Sequence, residues 1–118
     1  MDFCVEPSGT LNGETSVPGD KSISHRAIIF GAIADGVSEF SNFLDSKDCI
    51  ATLLAFQKMG VDINLNKTNL FIHGVGLRGL KAPKQSIDAG NSGTTVRLLA
   101  GLLGAQNSHD SASLVCKP

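Results

Sequence analysis

The spacing of apolar residues divides the chain at its glycines and prolines. Gly13–Val17 reads as a short strand that Pro18-Gly19-Asp20 breaks. A helix follows through about Ala34, opened by Ser22 or Ser24, because a serine oxygen accepts from the free N–H groups of a first turn. Asp35-Gly36 closes it, glycine being suited to the left-handed position after a helix. Val37–Phe43 reads as a second strand with weak alternation. Asp45-Ser46 opens a second helix, in which Cys49, Ile50, Ala51, Leu53, Leu54 and Phe56 form a broad apolar face; Gly60 stops it after Met59. Val61–Leu65 alternates strictly, as a half-buried strand does. Asn66–Asn69 makes a turn, and Leu70–Val75 returns as the hairpin partner. Residues from Gly13 to Val75 therefore predict β-α-β-α-β-β, an α/β arrangement. Gly76–Ser86 is a polar loop whose Arg78, Lys81 and Lys84 form a solvated surface. Beyond it lie a strand from Ser86–Ala89, a polar loop from Gly90–Thr95 and a small-residue helix from Val96–Ala105.

Composition narrows the class. The 118 residues are enough for one small domain with its own core, and 42% hydrophobic with 18% charged is ordinary for a globular protein. A net charge of -1, with six Phe as the whole aromatic complement, argues against a nucleic-acid binder, which needs a basic stripe with aromatics. Cys4, Cys49 and Cys116 form no C-x-x-C pair. They sit at no metal-ligand spacing from His25, His73 or His109, so no metal is expected and the cysteines read as reduced thiols. The opening M-D-F-C-V-E-P has no basic n-region and no long apolar run, so no signal peptide is expected, and Ala27–Ala34 is too short to span a bilayer. A cytoplasmic location is the expectation.

The chemistry concentrates in Val17–Arg26, V-P-G-D-K-S-I-S-H-R. Moved forward by 70 positions, Val17–Gly36 falls on Ile87–Gln106 without a gap, with Ser22 on Ser92 and Gly31 on Gly101; Arg26 lies one place before Arg97. The shared plan is an apolar strand, a small polar loop, an arginine in the first helical turn and a small apolar helix, as a structural repeat would give. A helix N-terminus presents free N–H groups and partial positive charge, and small residues let an anion approach closely. Lys21 adds a compact charge, Arg26 a planar fork for phosphate or carboxylate, and Ser22 and Ser24 neutral hydroxyls. Two such junctions side by side suit a substrate with two anionic groups.

Blander readings stand beside these. Ser24 also reads as a cap and Arg26 as a surface arginine, while His25 reads as a structural hydrogen-bonding residue ahead of a general base. G-D-K-S is not a phosphate-binding G-x-x-x-x-G-K-[ST] loop, because Asp20 stands where glycine is required. With G-x-G-x-x-G absent as well, nucleotide binding is disfavoured.

V-P-G-D-K-S-I-S-H-R-A resembles the N-terminal signature of the EPSP synthase (3-phosphoshikimate 1-carboxyvinyltransferase) family. D-A-G-N-S-G-T-T-V-R-L-L-A-G-L-L resembles its second signature, G-N-[AS]-G-T-x-x-R, in the right order and at the right separation. The resemblance runs from about Leu11 to Gln106. It implies transfer of the enolpyruvyl group of phosphoenolpyruvate to the 5-hydroxyl of shikimate 3-phosphate, releasing phosphate on the way to chorismate and aromatic amino acids. It implies no metal and no organic cofactor. The implied fold is the α/β enolpyruvyl transferase fold of repeated β-α-β-α-β-β units. It is truncated here, with about 13–85 the first unit and about 86–118 the start of a second with an atypical tail. By the same resemblance, Lys21 contacts both substrates and Ser22 and Arg26 bind shikimate 3-phosphate. Gly93 lies against phosphoenolpyruvate, Asn91 and Thr94 line its loop, and glyphosate competes there.

The match departs from the family at the end. An Arg-Pro loop that binds phosphoenolpyruvate is expected after Gln106. S-L-V-C-K-P resembles it only faintly, with Lys117 in place of the arginine, so the role is not carried to Lys117. The family's proton-transfer residues would lie in a later part, so the catalytic residues are unknown. The chain by itself is then expected to be inactive, poorly stable or self-associating, and open to rescue by a complementary C-terminal segment. Two alternatives remain: a UDP-N-acetylglucosamine enolpyruvyl transferase relative, for which Cys116 is the attraction, and a non-catalytic α/β fragment keeping a half-site for anionic ligands.

Overall fold

The computed structural model describes residues 1–106 and 112–116; Lys117 and His109 lie outside the described residues. Helix α1 spans Lys21–Ile33, strand β1 Asp35–Phe40, helix α2 Lys47–Lys58, strand β2 Asp62–Asn66 and strand β3 Asn69–Val75. Strand β4, Ile87–Asp88, helix α3, Gly93–Gly104, and strand β5, Leu114–Val115, follow. The first three strands form an antiparallel sheet in the order β1-β3-β2. Strands β4 and β5 pair in parallel across α3, with Ile87 opposite Leu114, so the chain turns here from hairpin to β-α-β crossover.

The pattern of α2 explains its place. Ser46 caps it through an Oγ that accepts from Cys49 N, and Cys49, Leu53 and Phe56 then point into the core. Leu54, on the opposite face, is about half exposed and does not join that face. In β2 and β3, Ile63, Leu70 and Ile72 are buried while Asp62, Asn64 and His73 face out, as the alternation requires. The two-residue turn between them holds Lys67 at φ 55.

Helix α1 crosses β3 at unusually short range. A Cβ on Gly74 would run into the carbonyl oxygens of Ala34 and Gly31, and one on Gly31 would lie 2.8 Å from Ile72 Cδ1. The missing side chains let the helix backbone rest on the sheet.

Five expectations need correction. Gly13–Val17 is not a strand: it has no ladder partner, Val17 is exposed, and an unpaired segment with one apolar side chain buries nothing. The first unit is thus α-β-α-β-β. The cap of α1 is neither Ser22 nor Ser24 but Asp20, whose carboxylate accepts from Ile23 N at 2.7 Å. Arg26 accordingly falls in the second helical turn. Helix α3 begins at Gly93 rather than Val96, because the Ser92 hydroxyl accepts from Thr95 N and starts it early. The two helix caps, Asp20 and Ser92, are therefore 72 positions apart where the echo at 70 sets Ser22 on Ser92.

Candidate functional site

The residues singled out by sequence occupy two exposed helix starts. Lys21, Ser22 and Arg26 lie exposed on the first two turns of α1. Asn91, Gly93 and Thr94 lie exposed around the start of α3. The two starts differ electrostatically. At α1 the Asp20 carboxylate already sits on the Ile23 N–H and supplies the anion that the helix end favours. At α3 the cap is the neutral Ser92 hydroxyl and no acidic residue lies in the first turn, so the partial positive charge there is left for an outside anion.

Side chains compensate at α1. Lys21 Nζ forms an ion pair with Asp48 of α2. The hydrogen bond to that carboxylate, together with its charge, holds the ammonium above its ordinary range, so Lys21 stays charged. Arg26 Nε donates to the Ser22 carbonyl at 3.2 Å, which folds the guanidinium back towards the helix start. Ser24 turns inward: buried, its Oγ accepts from Leu44 N at 3.0 Å and pins the loop before α2. That contact makes it neither the α1 cap nor an exposed anion donor.

Beneath the exposed groups runs a buried polar layer. His25, 1% exposed, places Nδ1 2.8 Å from Thr52 Oγ1. Thr52 Oγ1 lies 2.7 Å from Thr95 Oγ1, which donates to Ser92 Oγ, also at 2.7 Å. One residue each from α1 and α2 is thereby joined to the cap and first turn of α3. Burial pushes the His25 imidazole below its ordinary range; Lys21 lowers it further and Asp48 opposes. Burial likewise pushes the Cys49 thiol up, and its Sγ faces the Lys21 carbonyl at 3.7 Å.

Sequence reasoning missed Asp48, Thr52 and Thr95. Two signals were present: Thr52 is a polar residue on the apolar stripe of Cys49, Leu53 and Phe56, and Ser92 with Thr95 has the spacing of a capping pair. A cavity of roughly 330 Å³ between Leu80, Pro83, Leu103 and Leu114 lies apart; none of the six exposed site residues lines it.

The family model described as EPSP synthase (3-phosphoshikimate 1-carboxyvinyltransferase) matches residues 5–114. The chain is 63% identical over 107 residues to a 3-phosphoshikimate 1-carboxyvinyltransferase of Legionella pneumophila (strain Lens), covering 90% of this chain and 25% of that protein. It is 55% identical over 108 residues to one of Hydrogenovibrio crunogenus, covering 91% and 24%. Among solved structures, an EPSP synthase from Acinetobacter baumannii superposes with a TM-score of 0.84 at 49% identity, covering 89% of this chain and 24% of that one. The chain thus spans about a quarter of the length of the relatives it matches.

Proposed function

The chain belongs to the EPSP synthase (3-phosphoshikimate 1-carboxyvinyltransferase) family, and on that premise we propose that it forms one wall of an enolpyruvyl transfer site. The reaction passes the enolpyruvyl group of phosphoenolpyruvate to the 5-hydroxyl of shikimate 3-phosphate and releases phosphate. Ser22 and Arg26 bind shikimate 3-phosphate, Lys21 contacts both substrates, and Gly93 lies against phosphoenolpyruvate with Asn91 and Thr94 lining the loop. Residues 13–85 form a first repeat unit and 86–118 the start of a second, in a protein of the cytoplasm. No helix of the described residues is long and apolar enough to cross a membrane.

The observation that carries this reading is the contrast between the two helix starts. One is furnished with cationic and hydroxyl side chains, Lys21, Ser22 and Arg26. The other offers a bare glycine at a helix N-terminus whose cap is uncharged. Phosphoenolpyruvate is small and densely anionic, and an uncovered backbone lets it reach the N–H groups. Catalysis also needs proton transfer and exclusion of water by a facing wall, so the chain alone is inactive.

Titration of the 118-residue chain with shikimate 3-phosphate tests the half-site. Addition of a segment matching the remaining three quarters of the Legionella relative then tests turnover. Binding followed by restored phosphate release supports the proposal. Binding without turnover points to a non-catalytic half-site, and turnover by the pure chain overturns the claim that it is inactive alone.

A further inference from the structure

The buried layer has a direction, set at its far end by the Thr95–Ser92 contact, in which Thr95 Oγ1 is the donor. Ser92 Oγ accepts twice, from Thr95 N at 3.2 Å and from Thr95 Oγ1 at 2.7 Å. A hydroxyl carries one hydrogen. Thr95 has given its own to Ser92, so at the 2.7 Å contact with Thr52 it accepts. Thr52 has then spent its hydrogen, and its 3.5 Å contact with the Asp48 carbonyl is at the limit of a hydrogen bond. At the 2.8 Å contact with His25 Nδ1, Thr52 can only accept, so the ring nitrogen is the donor. Nε2 is buried with no partner among the described residues, so a second proton there would have no acceptor; the imidazole is neutral, with its proton on Nδ1 and a lone pair on Nε2. The reverse direction would leave an Nε2–H donor buried without an acceptor among the described residues, because Nε2 has no partner there.

We propose that His25, as the Nδ1–H tautomer, is a positioning residue that sets Ser92 and Gly93 against the Lys21–Arg26 junction through a one-way chain from His25 to Thr52 to Thr95 to Ser92. The functional meaning rests on the assignment of the two junctions to the two substrates. What the chain does physically is simpler. It ties the cap of α3 to the inner face of α1, so the exposed outer faces of both helices keep one spacing. Because both Ser92 acceptor sites are filled, the cap hydroxyl cannot rotate freely, and the Gly93 N–H keeps its direction. Burial acts most strongly on the ring; of the charged groups, Lys21 on α1 acts with it and Asp48 on α2 against it, in line with a neutral ring.

Two measurements on the 118-residue chain decide this. The first is a long-range proton–nitrogen correlation spectrum of the imidazoles, with His25 assigned by its disappearance in His25→Asn. The expected pattern is a protonated Nδ1, a pyridine-type Nε2 and a titration midpoint below 6.5. An Nε2–H tautomer, or a midpoint at or above 6.5, overturns the proposal. This arm needs no ligand, so it stands if the substrate assignment fails.

The second compares His25→Asn, whose amide keeps an N–H donor near the Nδ1 position, with His25→Leu, which has none. The amide signals of Gly93 and Thr94 are expected to stay near wild type in the Asn variant and to move in the Leu variant. Shikimate 3-phosphate binding is expected to weaken by about tenfold in the Leu variant and by about twofold or less in the Asn variant. Equal displacement of the Gly93 signal in both variants means the residue only fills space, and the proposal falls. If the Leu variant does not fold, the tautomer measurement still decides. If wild type binds no shikimate 3-phosphate, the substrate reading fails while the tautomer and amide arms still test the chain.

Discussion

Gly93→Ala separates folding from function at a single atom. Gly93 is the first residue of α3. A Cβ built there meets nothing within 4 Å of the described residues, and the backbone is not in the left-handed region where a side chain is strained. Nothing in the fold therefore opposes the methyl group. Alanine instead reduces the freedom of the unfolded chain, which stabilises by about 0.4–1 kcal/mol where the native backbone is compatible. With an unfolding entropy of about 2.1 cal/mol/K per residue, the 118-residue chain has about 0.25 kcal/mol/K, so the melting temperature is expected to rise by about 2–4 °C. Ligand binding is expected to move the other way. The methyl occupies the exposed approach to the α3 N–H groups, and a misfit of that size costs about 1–3 kcal/mol. In the assembled enzyme, phosphoenolpyruvate and glyphosate binding should weaken about tenfold or more, with shikimate 3-phosphate binding less affected. Calorimetric melting of the chain and titration of the assembled enzyme check the two halves. A fall in melting temperature would show that Gly93 is required by the fold. Equal weakening of all three ligands would remove it from the phosphoenolpyruvate side.

Gly74→Ala is the opposite case: its Cβ meets backbone carbonyls that cannot turn aside, so a loss of about 1–3 kcal/mol or more is expected in the urea midpoint. Thr52→Val breaks the middle of the buried chain and leaves the His25 Nδ1–H unmet, at about 1–3 kcal/mol, whereas Thr52→Ser keeps the hydroxyl; equal losses from both would refute the hydrogen-bond account. Asp20→Ala removes the carboxylate cap of α1 and is expected to cost about 1 kcal/mol by the same measurement, with Asp20→Asn retaining most of it. The His25 ring is held below its ordinary value, so the unfolded chain binds the proton first. Stability is full above about pH 6.5 and declines as pH falls from there through the lower folded value, and in His25→Asn this decline should be absent from urea midpoints taken across that range.

The sequence was legible where one face was apolar and its partner was close in the chain. Cys49, Leu53 and Phe56 repeat at helical spacing, and Ile63 with Ile72 alternates across a two-residue turn, so α2 and the β2–β3 hairpin follow from pattern. Helix α1 defeats the same rule. Its buried side chains near the start are Ser24 and His25, while Ile23 and Phe30 are 61% and 62% exposed. The inner face begins in a polar layer made with α2 and α3, so hydrophobicity does not mark it. The cap was missed for a related reason: Asp20, Ser22 and Ser24 are all capping types, and what excludes Ser24 is the Leu44 amide twenty residues away. The residues proposed to face substrate were legible only through motif and resemblance, because exposed lysine, serine and arginine have no distinctive packing.

The density of the K-S-I-S-H-R motif then has a physical account. Six consecutive helical residues cover the whole circumference of α1, so they cannot all serve one surface. Lys21, Ser22 and Arg26 face out, to the proposed half-site, and Ser24 and His25 face in. The inward pair holds the loop before α2 and, through Thr52 and Thr95, the cap of α3. A purely apolar inner face would bury the helix as well, since buried polar groups add little net stability. It would not fix where the neighbouring helix starts stand, because apolar contacts carry no direction. A hydrogen-bonded chain with a set order of donors and acceptors does carry direction. On the proposed reading, position at the half-site is set from beneath, by residues that need never touch a substrate. Changes at His25, Thr52 or Thr95 should alter binding through geometry while Lys21, Ser22, Arg26 and Gly93 stay chemically intact.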